Sequence, residues 1–108
     1  MTTVVLYREG ETLIGVESRG HSGFAEEGED VVCAAVSTLL YALLVGLVDV
    51  ARVEGVDGEA DPEVPLIKVA WPRERADEIS LLTKTVELSL REIASGSPEH
   101  VDITEVRS

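Results

Sequence analysis

An apolar segment of 21 residues, at positions 31–51, constrains the fold of this chain more than any other feature. Asp49 is its only charged residue, so it is long and apolar enough to span a bilayer as a helix. However, it is rich in Ala, Ser, Thr and Gly, and Tyr41 lies mid-segment rather than at an interface, where membrane helices place aromatic anchors. The other elements also need an apolar partner to cover. We therefore expect a buried central helix with no membrane contact.

Strand patterns flank this helix on both sides. Two β-branched runs, at 2–7 and 12–18, are separated by a short polar turn and predict a β-hairpin. Three later strands are predicted over residues 53–59, 66–71 and 100–106, and the last one begins at His100. His100 is therefore interpreted as a strand-edge residue rather than a catalytic one.

A second helix is predicted over residues 73–95. It follows Pro72, and Gly96 followed by Pro98 is a typical stop signal. Its apolar stripe at helical spacing comprises Ala76, Ile79, Leu82, Val86, Leu90 and Ile93. Leu81 and Leu88 lie off this stripe, and either widen the core face or form a subunit contact.

The predicted element order is β-β-α-β-β-α-β. Helices that alternate with hairpins indicate an α+β fold, a mostly antiparallel sheet with two helices packed against it. With 108 residues, 44% of them hydrophobic, the chain is expected to form one domain over residues 1–108. It carries more apolar surface than one small pair of layers readily hides, which favours a homodimer.

Charge and cysteine content exclude several classes of function. A net charge of −12 argues against direct nucleic-acid binding. It could steer a basic partner, although simple solubility explains it as well. A single cysteine excludes an intramolecular disulfide and, with no secretory signal at the start, predicts a cytoplasmic protein. One Cys and two His residues without ligand spacing predict no metal, and no cofactor is expected.

The chemistry-bearing residues cluster just before and at the start of the apolar helix. Cys33 is predicted in its first turn, where the partial positive charge of the helix N-terminus favours thiolate. His21 lies at the far end of a glycine-rich loop that precedes it. A Cys-His pair is the smallest unit for nucleophilic acyl transfer. The plain alternatives are a packed cysteine and a histidine that only orders its loop.

Two further residues accompany the pair. Asp30 is predicted to be the N-cap of the helix, and the alternative is that it orients His21. Ser37 lies one helical turn beyond Cys33 on the same face, where it either lines the site or hydrogen-bonds back to the helix.

These residues occur in two ordered motifs, GHS at 20–22 and GEDVVCAAVS at 28–37. The pattern resembles that of the ribosomal-processing cysteine proteases, the Prp family, over essentially the whole chain. That family usually has Ala where this chain has Ser22, a small-for-small difference beside the histidine.

The resemblance implies that Cys33 is the nucleophile and His21 its base. It also implies a reaction, removal of a short N-terminal extension from a ribosomal large-subunit protein, and it too points to a homodimer. The alternative from another class is a non-catalytic module that binds during ribosome assembly. Another small cysteine hydrolase, such as an amidase, would differ only in substrate.

Overall fold

The computed structural model describes residues 1–20, 29–61 and 66–108, with side chains from residue 31 onward in the second range. In these residues the chain forms five strands, two α-helices, a π-helical turn and a 3-10 turn. The strands are β1 (Thr2–Glu9), β2 (Thr12–Arg19), β3 (Asp57–Asp61), β4 (Leu66–Ala70) and β5 (Val101–Arg107). The helices are α1 (Glu29–Val45), which continues into the π-helical turn Gly46–Val50, and α2 (Ser80–Gly96), which follows the 3-10 turn Arg73–Arg75.

The strands form one sheet in the order β3-β4-β2-β1-β5, and the β1–β5 pair alone is parallel. Helix α1 contacts β1, β2, β4 and α2, and α2 contacts β5, so both helices cover one face of the sheet. The predicted α+β class and element order are confirmed. Alternation along the strands directs apolar side chains into the core between sheet and helices: Val4, Leu6, Val16, Ile67 and Val69.

Helix α1 is packed on one side only, so the central helix that the sequence predicts is buried along one face and not on the other. Val36, Leu40, Leu43 and Leu47 are fully buried against the sheet, at a spacing of three or four residues that forms one helix face. The opposite face is exposed, because neither the sheet nor α2 reaches it. By length and hydropathy the span Val31–Val50 could cross a membrane, and 22% of it is buried in the fold.

The apolar helix ends where the sequence predicts, within one residue, because the backbone folds back on itself. Val53 N–H donates to the Leu47 carbonyl at 2.9 Å, and Arg52 adopts a left-handed φ of 53°. This bond satisfies one of the carbonyls at the helix end that have no partner within the helix, and Leu47 and Val53 are both buried in the core. Because Val53 is used to end the helix, β3 starts at Asp57, four residues later than predicted.

The second helix also starts later than predicted, at Ser80 rather than residue 73. Residues 73–79 instead form tight turns, in which Ala76 N–H donates to the Arg73 carbonyl at 3.2 Å. The predicted apolar stripe is confirmed: all six side chains are buried or packed against the core. Leu81 and Leu88 are 84% and 63% exposed, so the interpretation that they widen the core face is wrong.

The two helices approach closely at Gly46. A Cβ at this position would lie 2.5 Å from the Leu82 Cδ2, so a larger residue would displace the Leu82 side chain. This packing holds the second half of α1 against α2. The first half, which carries the candidate site, lies beside the end of β2 and the start of β4.

The opposite sheet face carries a polar cluster instead of a second helix layer. Glu17 is nearly buried there, accepting from Arg19 Nε at 2.6 Å and from the Tyr7 hydroxyl at 3.2 Å. The Lys68 ammonium lies 4.7 Å from the centre of the Tyr7 ring. Burial, followed by the Glu17 carboxylate, raises the pKa of Tyr7.

Candidate active site

The candidate site lies at one end of the sheet, where several elements begin or end together. Strands β2 and β3 both run antiparallel to β4, so both finish at the end of the sheet where β4 begins. The start of α1 lies at the same end of the sheet, because Cys33 lines one cavity with Gly20, just after β2, and with Asp61 and Leu66. The first turns of α1 and the paired strands β3 and β4, which are distant in sequence, are therefore brought together.

A cavity of about 280 Å³ opens between the start of α1 and this end of the sheet. Residues from β2, α1, β3 and β4, together with Gly20 just after β2, line it: Ser18, Gly20, Cys33, Ser37, Tyr41, Ala60, Asp61, Leu66 and Ile67. A cavity of this size holds a side chain or two of a peptide, and its walls are largely apolar with a few polar groups, as in ligand sites generally.

Cys33 is half-buried and faces this cavity, so the thiol is neither sealed in the core nor fully in water. It is the fifth residue of α1, because the helix begins at Glu29, and thus lies just past the first turn in which it was predicted. The N-terminal partial charge falls off over about this distance. The prediction that Cys33 lies at the helix start is therefore correct to within one turn.

Asp30 lies inside α1 as its second residue. Its side chain lies outside the described residues, so both predicted roles, capping the helix and orienting His21, stay predictions. The first turn of α1 carries two acidic residues, Glu29 and Asp30. Acidic residues are favoured at that end by the helix macrodipole.

Ser37 lines the same cavity as Cys33, as its spacing of one helical turn predicts. Its neighbour Thr38 donates a hydrogen bond back to the Ala34 carbonyl at 2.8 Å. Among the described residues the Ser37 hydroxyl makes no such bond. Of the two predicted roles for Ser37, lining the site is the one that this geometry favours.

Tyr41 is a cavity residue that the sequence analysis missed. It lies one turn beyond Ser37 and two beyond Cys33, and it is 49% exposed at the cavity rim. The signal was present, since positions 33, 37 and 41 share one helix face. The remaining wall, from the β3–β4 hairpin, had no local signal because it depends on strand pairing.

His21 and Ser22 lie outside the described residues, as does the side chain of Asp30, so the predicted dyad stays a prediction. The other histidine, His100, does not line the cavity. Its carbonyl accepts from Thr2 N–H at 2.7 Å, and its ring lies 3.7 Å from Glu99, which agrees with the predicted strand-edge position. Over residues 1–20, 29–61 and 66–108 there is no cluster of three His, Cys, Asp or Glu side chains that could hold a metal ion.

Comparison with known proteins agrees with this geometry. The family model for the cysteine protease Prp matches residues 1–102. The chain belongs to the Prp family of cysteine proteases. It is therefore a cysteine protease, and the resemblance seen in the two motifs is confirmed. The non-catalytic binding module considered as the alternative is not supported.

Individual relatives cover nearly the whole chain. The ribosomal processing cysteine protease Prp of Mycoplasma genitalium is 28% identical over 88 residues, which are 82% of this chain and 84% of that protein. A crystal structure from Streptococcus mutans matches with a TM-score of 0.85 at 29% identity, covering 100% of this chain and 96% of that one. The ribosomal processing protease Prp of S. aureus, in complex with a substrate peptide, matches with a TM-score of 0.85 at 22% identity, covering 98% and 100%.

Proposed function

We propose that this protease removes a short N-terminal extension from a ribosomal large-subunit protein, with Cys33 as nucleophile and His21 as base. The observation that carries the proposal is the placement of Cys33, half-buried near the start of α1 and facing a cavity of about 280 Å³. A thiol in that position can be reached by a peptide carbonyl and is still shielded from bulk water. A cysteine that only fills space in a core would lack this access.

The proposed reaction has two stages. His21 accepts the Cys33 thiol proton, and the thiolate attacks the carbonyl carbon of the scissile peptide bond. The C–N bond then breaks, the amine leaves with the proton from His21, and the extension remains as a thioester. Water, deprotonated by His21, hydrolyses the thioester and restores the thiol.

The negative oxygen formed in each stage needs hydrogen-bond donors. The backbone N–H groups of the first turn of α1 have no carbonyl partner within the helix. Those of the residues just before Cys33 are close in sequence to the nucleophile, so we assign the oxyanion site to this turn. Removal of one such donor typically costs a factor of 10² to 10³ in rate.

Asp30 and Ser37 are proposed to support the pair. For Asp30 we retain both predicted roles, capping the start of α1 and orienting His21. Ser37 is proposed to contact the substrate from the cavity wall, since its hydroxyl makes no back-bond to α1 among the described residues.

The assignment of the substrate is supported by the relatives and by charge. The matching S. aureus protease is a ribosomal processing enzyme in complex with a substrate peptide. Ribosomal proteins are basic, and a net charge of −12 on this chain attracts a basic polypeptide at long range. Ribosomal proteins are made in the cytoplasm, where a lone reduced cysteine is also stable, so we place the protease there.

The test uses large-subunit ribosomal proteins translated in vitro from the genes of the source organism. We expect the purified protease to shorten one of them at a single bond near its N-terminus, as read by intact-mass and N-terminal peptide spectrometry. If every large-subunit protein keeps its encoded N-terminus after prolonged incubation, the proposed substrate is wrong.

We also propose that the protease is a homodimer that associates through its helix layer. Leu81 and Leu88 on α2 are exposed, as are Val45 and Val48 at the end of the apolar helix. Exposed aliphatic side chains on a helix layer are typical of subunit contacts. Light scattering at micromolar concentration should give twice the 11.6 kDa chain mass.

Substitution of both leucines by glutamate, L81E with L88E, should yield a monomer, because each buried carboxylate would be left unpaired. Thr104→Glu is the control: it adds one such carboxylate on the opposite face of the sheet, where Thr104 is exposed. A monomeric wild-type chain, or dissociation by Thr104→Glu alone, would contradict association through the helices.

A further inference from the structure

We propose that the free edge of β3 binds the peptide substrate as an added strand and that this pairing guides the scissile bond to Cys33. The inference rests on the proposed protease function and adds how the substrate is held. Strand addition at a sheet edge is a recurring mode of peptide recognition, in which backbone hydrogen bonds provide affinity.

β3 is at the edge of the sheet. Its one described neighbour is β4, and within the described part of the chain no strand lies on its other side. All five of its residues are exposed. An edge strand of this kind presents unpaired backbone groups to any extended chain that approaches.

The hydrogen bonds of β4 establish which backbone groups of β3 are free. Trp71 N–H, directly after β4, donates to the Ile14 carbonyl at 3.1 Å and so faces β2. Backbone groups of successive residues in a strand point to alternate sides. The amide and carbonyl groups of Ala70 and Lys68 therefore face the other way, toward β3.

The register of the β3–β4 pair shows which residues of β3 direct their backbone groups toward β4. Asp57 and Glu59 are the partners of the two β4 residues whose backbones face β3, so their own amides and carbonyls are used in the sheet. The backbone groups of Gly58 and Ala60 consequently point to the open edge. They offer two donors and two acceptors to an added strand, and these residues have the smallest side chains.

This edge leads directly to the candidate site. Ala60 and Asp61 line the same cavity as Cys33. Paired residues in neighbouring strands direct their side chains to the same face, so a peptide residue opposite Ala60 would direct its side chain toward the helices. There it would meet the cavity walls formed by Tyr41 and Ile67, and the peptide would continue past the end of β3 toward the start of α1.

Charge at the edge indicates what kind of chain it binds. Asp57 and Glu59 are exposed, and their side chains lie on the face opposite the helices, next to where alternate residues of an added strand would project. Two copies of β3 paired edge to edge would bring these carboxylates together, which disfavours self-association there. A basic extended segment with apolar residues at alternate positions fits both faces.

The first test is a backbone N-methyl scan of a peptide. The probe is a fluorescein-labelled peptide spanning the bond cleaved in the ribosomal precursor. If no precursor is cleaved, the probe is the tightest binder from a library of acetylated nonapeptides. Binding is measured by anisotropy with the Cys33→Ala variant, which keeps the peptide intact. Methylation should weaken binding about 3- to 10-fold at every second residue on one side of the bond and have little effect between.

The second test changes the edge itself. Introduced into the Cys33→Ala variant, Ala60→Pro removes one outward N–H without removing a bond to β4, and should raise the Kd for the same peptide about tenfold. Circular dichroism checks that this variant folds, and the N-methyl scan decides alone if it does not. Glu59→Lys should weaken binding of a basic peptide several-fold. Glu92→Lys makes the same charge change at an exposed position of α2, far from the edge, and should leave binding unchanged.

The outcomes separate this inference from the proposed function. A peptide that is cleaved but shows losses at consecutive residues, or none, would overturn strand pairing and leave the protease assignment intact. Failure of every probe to bind would overturn the edge as a docking surface. Alternating losses, with Ala60→Pro weakened and Glu92→Lys unchanged, would establish it.

Discussion

Cys33→Ala is expected to abolish cleavage of the ribosomal precursor, with a rate loss of roughly 10⁴-fold or more. The variant retains the cavity and any oxyanion donors, but no atom remains at position 33 that can form the thioester. Because the thiol is half-buried and the change removes one atom, the fold should tolerate it, with about 1 kcal/mol or less lost from the free energy of unfolding. The readout is the rate of precursor shortening by mass spectrometry.

Two companion variants sharpen this result. Ala34→Ser places a similar small change on the next residue, which is exposed and does not line the cavity, and it should leave the rate within about twofold. Cys33→Ser keeps the shape of the side chain but replaces the thiol by a much weaker nucleophile, so it should be nearly as inactive as Cys33→Ala. Shortening of the precursor by Cys33→Ala at the wild-type rate would remove position 33 from the mechanism.

Much of the fold was predictable because its signals are local. The alternating runs that became β1, β2 and β4 carry their period of two in the sequence itself, and the stripe on α2 carries its period near 3.6. The starts of β3 and α2 were placed too early. Both errors arose where backbone bonds within turns, at Val53 and Ala76, replaced the regular pattern.

Hydropathy alone could not reveal that α1 is covered on one side only. Both its faces are apolar, so its amphipathic character is weak in the sequence. What differs is size: the buried face carries Leu40, Leu43 and Leu47, while alanines are common on the exposed face. Small side chains bury less apolar area than leucine does. A difference in side-chain size therefore marks the buried face of a helix less clearly than charged residues on the other face would.

Contacts between residues that are distant in sequence could not be predicted either. Arg8 donates to Glu87 at 2.6 Å and to Glu105 at 2.9 Å, and so joins β1 to α2 and β5. The hydrogen bond from Arg8 holds the pKa of the Glu105 carboxyl below its usual range. These pairs span 79 and 97 positions, and nothing local in the sequence identifies the partners.

The candidate site likewise has one part that was predictable from local sequence and one part that was not. Cys33 and Ser37 were identified because one helical turn separates them and a motif surrounds them, and Tyr41 follows the same spacing. Ala60 and Asp61 enter the site only through the pairing of β3 with β4, which the sequence does not specify. The half of the site that we propose to bind the substrate is therefore the half that required a structure.

His21→Ala is expected to leave Cys33 far less reactive near neutral pH. In the proposed dyad the imidazole accepts the thiol proton, so the wild-type thiol should react with iodoacetamide at a rate that changes little between about pH 6 and pH 8. Without that base, the thiolate fraction of an ordinary thiol rises about tenfold per pH unit over this range. The variant should therefore be roughly 10- to 100-fold slower at pH 6.5 and approach the wild-type rate above about pH 9.

His100→Ala is the matched control for this profile, since it removes the other histidine, which does not line the cavity with Cys33. Its alkylation profile should superimpose on that of the wild type, which would assign the effect to His21 rather than to lost charge or altered folding. Cleavage of the precursor should fall with the thiol reactivity in His21→Ala, because the same imidazole must also protonate the leaving amine. Identical profiles for wild type and His21→Ala would mean that another group, or none, activates the thiol, and the dyad would have to be abandoned.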